Sequence, residues 1–302
     1  MQLPRITNDT NIRFAFFGSS RFSVIVLDEL EKVGILPACI ITTPDKPKGR
    51  NLVLSPTPVK EWALDKGIPV HDPAVLDTAF SDMLTSETKE KGYQTFVVAS
   101  YGKIIPATII DIPPHKTLNI HPSLLPAYRG ASPLQSAMLD DAKQTGVTIM
   151  RIDEKMDHGP VIAQQKITVD EWPSYSKFEE MMAGHGARLL ASTMPAWIAG
   201  TLTEHEQDHS TATFTRKIAK EDGLIDLSAD DHANFRKIQA HCEWPGTYFF
   251  VNKNNKKIRI KIARASYTEG KLSIERVIPE GKPEMDYADF LRGYDNPYLV
   301  ES

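Results

Sequence analysis

Asn119 and His121 stand two residues apart in the run Thr117-Leu118-Asn119-Ile120-His121, a stretch with the composition of a short strand. Side chains two apart on a strand share a face, so an amide and an imidazole are predicted side by side at the strand's end. That pair suits acyl transfer, because both groups can donate to an oxygen that gains negative charge. Asp157 lies downstream in a polar turn, Asp153-Glu154-Lys155-Met156-Asp157-His158-Gly159. An aspartate before a glycine often shapes the turn itself. It could equally orient the imidazole and carry a proton. Spacing leaves these two roles even, and an isolated Asn-x-His is more often just a polar strand end.

The elements around these residues form a pattern. Ile12 to Phe17 is a continuous apolar run, as in a strand buried on both faces. Gly18-Ser19-Ser20, a helix with apolar Phe22, Val24, Ile25, Leu27 and Leu30, and a second apolar run at Ala38 to Ile41 complete a βαβ unit. The turn lacks G-x-G-x-x-G, so a Rossmann-like sheet without a dinucleotide is expected. Helices are predicted at Val59 to Lys66, Ala74 to Lys91, Pro133 to Leu139 and Tyr175 to Ile198. Strands are predicted at Ile68 to Val70, Thr95 to Ala99, Thr117 to His121, Thr145 to Ile152 and Val161 to Val169. The methionines of the long helix fall at core positions. In such sheets ligands sit beyond the carboxyl ends of the strands, which is where Asn119 and His121 fall.

Gly200 to Thr213 is polar and is expected to be a structureless linker, with His205 and His209 solvated. The expected layout is therefore a catalytic domain over 1–199, a linker over 200–213 and a smaller β-rich domain over 214–302. In that last part a helix at Asp230 to Cys242, strands at Thr247 to Val251, Lys257 to Ala265 and Lys271 to Val277, and a helix at Tyr287 to Gly293 are predicted.

The 302 residues are 41% hydrophobic and 25% charged, which allows two domains with real cores. A formal net charge of −4 leaves no global positive field for nucleic acid, so any such contact needs local basic patches. Two patches stand out. Lys46, Lys48 and Arg50 lie in a proline- and glycine-bearing loop, Thr42 to Asn51. Lys257, Arg259 and Lys261 alternate with isoleucines on one strand, and no acid occurs between Trp244 and Thr268. Each is either a solvated surface or a grip on a polyanion. Cys39 and Cys242 are far apart and both sit among apolar residues, so buried free thiols in a reducing compartment are expected. The histidines show no ligand spacing, and no metal site is expected. No signal-peptide core and no membrane-length apolar run occurs, so a cytoplasmic protein is expected, with a monomer as default.

The run Asn119 to Pro126 (NIHPSLLP), followed by Tyr128-Arg129-Gly130-Ala131-Ser132-Pro133, Gly146 to Met150 (GVTIM) and Met156-Asp157-His158-Gly159, resembles the folate-dependent formyltransferase family. Thr43 to Pro47 with Gly49-Arg50, and Lys220 to Asp226, resemble its tRNA-acting branch. The resemblance runs from about Ile12 to Gly293. It implies an α/β fold, a Rossmann-like mostly parallel sheet with a smaller C-terminal OB-like β domain. It implies 10-formyltetrahydrofolate as formyl donor and the amino group of initiator methionyl-tRNA as acceptor, without a metal. The family's catalytic Asn, His and Asp fall on Asn119, His121 and Asp157, with Asn119 and His121 as oxyanion donors. Its folate-binding turn falls on Ser123, Leu124, Leu125 and Pro126, and its tRNA loop on Asp45 to Leu52. Two segments depart from the family: Asn51-Leu52-Val53 replaces a lysine pair, and three clear strands stand where an OB-fold has five. An amino-sugar-nucleotide N-formyltransferase is the alternative, and an RNA-binding protein on a decayed scaffold is a further rival.

Overall fold

In the computed structural model, residues 12–48, 52–253 and 256–294 are described. The apolar run after Ile12 becomes β1 (Phe14–Phe17), fully buried. The chain continues through α1 (Arg21–Glu31), β2 (Cys39–Ile41), β3 (Lys46–Lys48), β4 (Val53–Ser55), α2 (Pro58–Asp65) and β5 (Val70–His71). Next come α3 (Thr78–Lys91), β6 (Thr95–Val98), α4 (Ala107–Ile110), β7 (Thr117–His121), β8 (Arg129–Gly130), α5 (Pro133–Leu139), β9 (Gln144–Arg151), β10 (Val161–Thr168) and α6 (Tyr175–Ile198). The last part holds β11 (Phe214–Thr215), α7 (Asp231–Ala240), β12 (Tyr248–Lys253), β13 (Lys256–Thr268), β14 (Lys271–Pro279), β15 (Met285–Asp286) and α8 (Tyr287–Gly293).

The chain divides into two compact units. The first runs to Gly130 and adds Gln144–Thr168 and Glu179–Phe214; the second holds Ala131–Lys143, Val169–Phe178 and the chain from Thr215 on. The first unit is built on a seven-stranded sheet of order β10-β9-β7-β6-β1-β2-β5. The five strands from β7 to β5 in that order run parallel, and β9 and β10 are antiparallel additions beyond β7. The strand order reverses around β1, which makes the crevice between β1 and β6 a topological switch point. The two loops there are tied: the Ser19 hydroxyl donates to Tyr101 O at 2.7 Å, and the Ser23 hydroxyl donates to Ala99 O at 2.6 Å.

Local chemistry explains the boundaries. Ser20 caps α1, its hydroxyl accepting from the Ser23 N–H while the Ser20 N–H donates back to Ser23. Thr57 caps α2 with Pro58 following, and Asp77 caps α3, which ends on Gly92 at φ 70. Helix α6 passes closely over the strand that carries Asn119 and His121. A Cβ built on Gly186 would lie 2.5 Å from Ile120 Cγ2. A glycine inside a helix costs about 1 kcal/mol against alanine, and this close approach is the reason it is there.

The second unit has a four-stranded antiparallel sheet of order β12-β13-β14-β15, and a parallel bridge from Leu224 to Tyr248 adds a further segment at the β12 edge. Ile238 of α7 and Phe290 of α8 join Phe249, Val251, Ile260, Ile262 and Val277 in its core. The alternation along β13 is as expected: Ile260 and Ile262 are buried, while Lys257, Arg259 and Lys261 are exposed. Directly across from them stand Asn252, Phe250 and Tyr248. Lys257 Nζ lies 4.3 Å from the centre of the Phe250 ring, and the Arg259 guanidinium 5.6 Å from that of Tyr248.

Two expectations need correcting. Cys39 is buried as expected, but Cys242 is exposed, because it follows the last turn of α7 where the chain leaves the helix. Residues 200–213 are not structureless. His205 exchanges two backbone hydrogen bonds with Val161, and residues 209–211 form a 3₁₀ turn.

The Gly186 contact gives a test. Gly186→Ala should lower stability by about 1–3 kcal/mol through overpacking against Ile120, despite alanine's better helix propensity. Urea unfolding of the two proteins measures it, and an alanine variant as stable as the parent contradicts the close approach.

Candidate active site

Strand β7 carries Asn119 and His121 to the carboxyl edge of the sheet, opposite Met150 and Thr148 of β9. Asn119 is half-buried, and its amide makes no side-chain hydrogen bond among the described residues. His121 is only 4% exposed. Its Nε2 lies 3.0 Å from Tyr128 O, and its Nδ1 lies 3.6 Å from Asp157 Oδ1. A carbonyl oxygen only accepts, so Nε2 carries the proton. In the neutral ring Nδ1 is then a bare acceptor turned toward a carboxylate. Two acceptors facing each other form a place for one proton, held directly or through a water.

Asp157 comes from the loop between β9 and β10 and adopts φ 49, a left-handed conformation uncommon outside glycine. Its Oδ2 accepts the Gly130 N–H at 2.7 Å. The loop is pressed onto the end of β9: a Cβ on Gly159 would sit 2.0 Å from Arg151 O. Arg151 is itself fixed by a two-oxygen ion pair with Glu204, its Nε 2.9 Å from Oε1 and its Nη2 2.9 Å from Oε2.

His121 and Asp157 are thus brought together, and Asn119 lies on the same face of β7 as His121. In this arrangement both ring nitrogens of His121 already face protein oxygens. One ring nitrogen is committed to Tyr128 O, and the other faces an acceptor. Asn119 is the group left free to donate.

The Ser123-Leu124-Leu125-Pro126 turn is anchored from inside. Thr148, fully buried, donates through its hydroxyl to Ser123 O at 2.7 Å and accepts from the Leu125 N–H at 3.2 Å. Gln164 Nε2 donates to Leu125 O at 2.8 Å and to the Thr148 hydroxyl at 3.0 Å. Leu124 packs over Gly146, where a Cβ would meet its Cδ2 at 2.5 Å. A cleft of about 370 Å³ opens beside this turn, lined by Leu125, Pro126, Gln164, His205 and Gln207 among others. Asn119, His121 and Asp157 do not line it, so the cleft adjoins the turn and not the reacting groups.

One neighbour, Gln207, gave no signal in the sequence. Gln207 is 6% exposed; its Oε1 accepts from Arg129 Nε at 3.1 Å and Nη2 at 2.6 Å, and its Nε2 donates to Asp157 O at 3.0 Å and Gly159 O at 2.6 Å. Arg129 Nη2 also donates to His209 Nδ1 at 2.9 Å. The His209 ring stacks on His158 at 4.0 Å, and His158 Nδ1 lies 2.6 Å from Asp153 Oδ2. His205 and His209, expected to be solvated, are both exposed, and His209 also takes part in this cluster.

Of the basic patches, Lys46 and Pro47 are exposed on the β3–β4 hairpin, which pairs Lys46 with Ser55 and Lys48 with Val53. Burial and the charge of nearby Lys46 together lower the Lys103 ammonium below its usual value. Arg50 lies outside the described residues.

Away from the site, Cys39, His71 and Glu87 bring three ligand-type atoms within 4.8 Å of one another. Residues this far apart in sequence gave no spacing signal. Glu87 is already engaged there by His71 Nε2 at 2.7 Å, the Tyr93 hydroxyl at 3.0 Å and the Lys91 ammonium. Burial pushes the Cys39 thiol up to about 12, so it stays protonated. The cluster is satisfied as a polar anchor for the sheet edge.

A family model described as formyl transferase matches residues 11–194, and one described as formyl transferase, C-terminal domain, matches residues 217–271. The chain belongs to the formyl transferase family. It is 34% identical to a methionyl-tRNA formyltransferase of Listeria innocua, covering 93% of this chain and 95% of the relative. A methionyl-tRNA formyltransferase of Dictyoglomus thermophilum is 33% identical, covering 94% and 97%. The fold is shared with an N-formyltransferase from Helicobacter canadensis solved with folinic acid and dTDP-3-aminofucose, with TM-score 0.59, 16% identity and coverage of 88% and 94%. It is also shared with HypX from Aquifex aeolicus in complex with tetrahydrofolic acid, with TM-score 0.62, 14% identity and coverage of 93% of this chain and 47% of that one.

Thr148 gives the local test. Thr148→Val keeps the shape but leaves the buried Leu125 N–H and Ser123 O without this partner. The expected loss is about 1–3 kcal/mol in urea unfolding. A change within about 0.5 kcal/mol, the range of surface substitutions, contradicts the anchoring role.

Proposed function

We propose that the protein transfers the formyl group of 10-formyltetrahydrofolate to the amino group of initiator methionyl-tRNA, in the cytoplasm and as a monomer. The observation that carries this reading is near full-length likeness to relatives named methionyl-tRNA formyltransferase, in a chain that keeps Asn119, His121 and Asp157 at one sheet edge.

The residues suit the chemistry. An α-amino group has a pKa of roughly 8, so a neutral fraction exists near pH 7. The amine attacks the formyl carbon, and the carbonyl electrons move to oxygen. Asn119 donates its free amide N–H to that oxyanion. The attacking nitrogen gives up a proton to the acceptor pair of His121 and Asp157. As the carbon–N10 bond breaks, that proton passes to N10. No covalent intermediate is needed. The turn at Ser123, Leu124, Leu125 and Pro126 would form a wall for the folate, held rigid by Thr148 and Gln164.

The acceptor is a polyanion, and two basic surfaces suit it. One is the β3–β4 hairpin, on which Lys46 is exposed; Lys48 and Arg50 are the other cations that the sequence supplies in this segment. The other is the face with Lys257, Arg259 and Lys261, where cations alternate with Phe250 and Tyr248. Cations serve phosphates, and aromatic faces accept bases or riboses.

Formylation assays test the reading. With 10-formyltetrahydrofolate as donor, charged initiator tRNA should be formylated and a dTDP-linked amino sugar should not; the reverse overturns the assignment. Asn119→Ala and Asp157→Asn should fold normally and lose about a hundredfold or more in turnover, and near-parental rates would remove these roles. Activity toward tRNA should fall steeply with salt. Replacing Lys257, Arg259 and Lys261 together by glutamine should flatten the log–log slope by about 2–3, and an unchanged slope excludes that face from phosphate contact.

A further inference from the structure

We infer that Gln207 is the positioning residue for Asp157, and that buried Arg129 is there to set Gln207; the activity part of the test rests on the formyl-transfer reading. The orientation of the Gln207 amide is forced by its partners. A guanidinium only donates, and the carbonyls of Asp157 and Gly159 only accept. The amide oxygen must therefore face Arg129, and the amide nitrogen must face the loop. No flipped form satisfies both sides.

The loop needs such a clamp. Asp157 holds a left-handed backbone at φ 49, which persists only where surroundings over-determine it. The described bonds to the Asp157 main-chain carbonyl and to that of Gly159 come from one side chain, Gln207. The carboxylate is aimed separately, by the Gly130 N–H. With the backbone and one oxygen both fixed, Oδ1 is the atom left to meet His121.

Arg129 is 3% exposed, and no carboxylate lies within ion-pair distance of it among the described residues. Its hydrogen-bond partners are the Gln207 oxygen and His209 Nδ1, with the Phe214 ring 6.0 Å away. A buried cation without an acid is expensive. What it does here is polarise the Gln207 carbonyl, which strengthens the N–H donors at the other end of the same amide.

The test uses the full chain. Gln207→Glu keeps the shape and the Arg129 contact but turns an acceptor oxygen onto two carbonyls. Gln207→Met removes both ends and serves if the first variant does not fold. The expected result is a kcat about a hundredfold lower with KM for both substrates within about twofold, the signature of a misplaced catalytic group. A kcat within about threefold of the parent, or a loss confined to KM, overturns the inference. If the parent itself does not formylate methionyl-tRNA, the reaction reading has failed, and the clamp is read by hydrogen exchange at the Gly130 amide. Release of Asp157 should speed that exchange by about tenfold or more, and an unchanged rate overturns the clamp without reference to activity.

Discussion

Three consecutive residues, Tyr128, Arg129 and Gly130, tie His121, Gln207 and Asp157 into one unit. Tyr128 offers its carbonyl to His121 and so fixes the tautomer. Arg129 reaches Gln207. Gly130 gives its N–H to the Asp157 carboxylate. The turn manages this because its backbone is contorted: Tyr128 has φ 61 and Gly130 φ 112. The second value lies in a region that side chains rarely enter, which explains the glycine. Such a turn would not keep its shape alone. The Arg129 N–H donates to Thr213 O at 2.9 Å and the Tyr128 N–H to the Thr213 hydroxyl at 2.8 Å, so a distant stretch of chain braces it.

The sheet supplies the rest of the precision. A histidine at the last position of a buried strand has little freedom, and its register against Thr148 is set by the β7–β9 ladder. The same ladder places the loop after β9 within reach of that histidine. Adding two antiparallel strands beyond β7 is thus what turns a generic parallel sheet into a site. The loop carrying the acid starts at β9 and returns as β10, so both of its ends are fixed.

Much of this was legible in the sequence, for physical reasons. The strands β1, β6 and β7 announce themselves because a strand buried on both faces must be apolar throughout. Helix α6 and the alternating β13 follow from their periods. The chemistry of Asn119, His121 and Asp157 was readable as a possibility, and the resemblance gave it focus. Four things were not readable. The tautomer of His121 depends on a carbonyl seven residues away, and carbonyls leave no mark in a sequence. Thr148 looks like an ordinary strand residue, yet its hydroxyl is the anchor of the turn. Gln207 sits in a run rich in charge and polarity, which composition reads as solvated. The partners of Arg129, an amide oxygen and an imidazole from a stretch some 80 residues on, leave no spacing signal either.

The course of residues 200–213 bears on how such a chain could be recombined. Thr213 braces the Tyr128 turn, and Gln207 grips the acid-bearing loop. A catalytic half cut at the end of α6 would therefore lose its own scaffolding along with the appended module. A splice placed before Gln207 would cut away both Gln207 and Thr213, and one placed after Phe214 would still leave Ala131–Lys143 and Val169–Phe178 behind from the second unit.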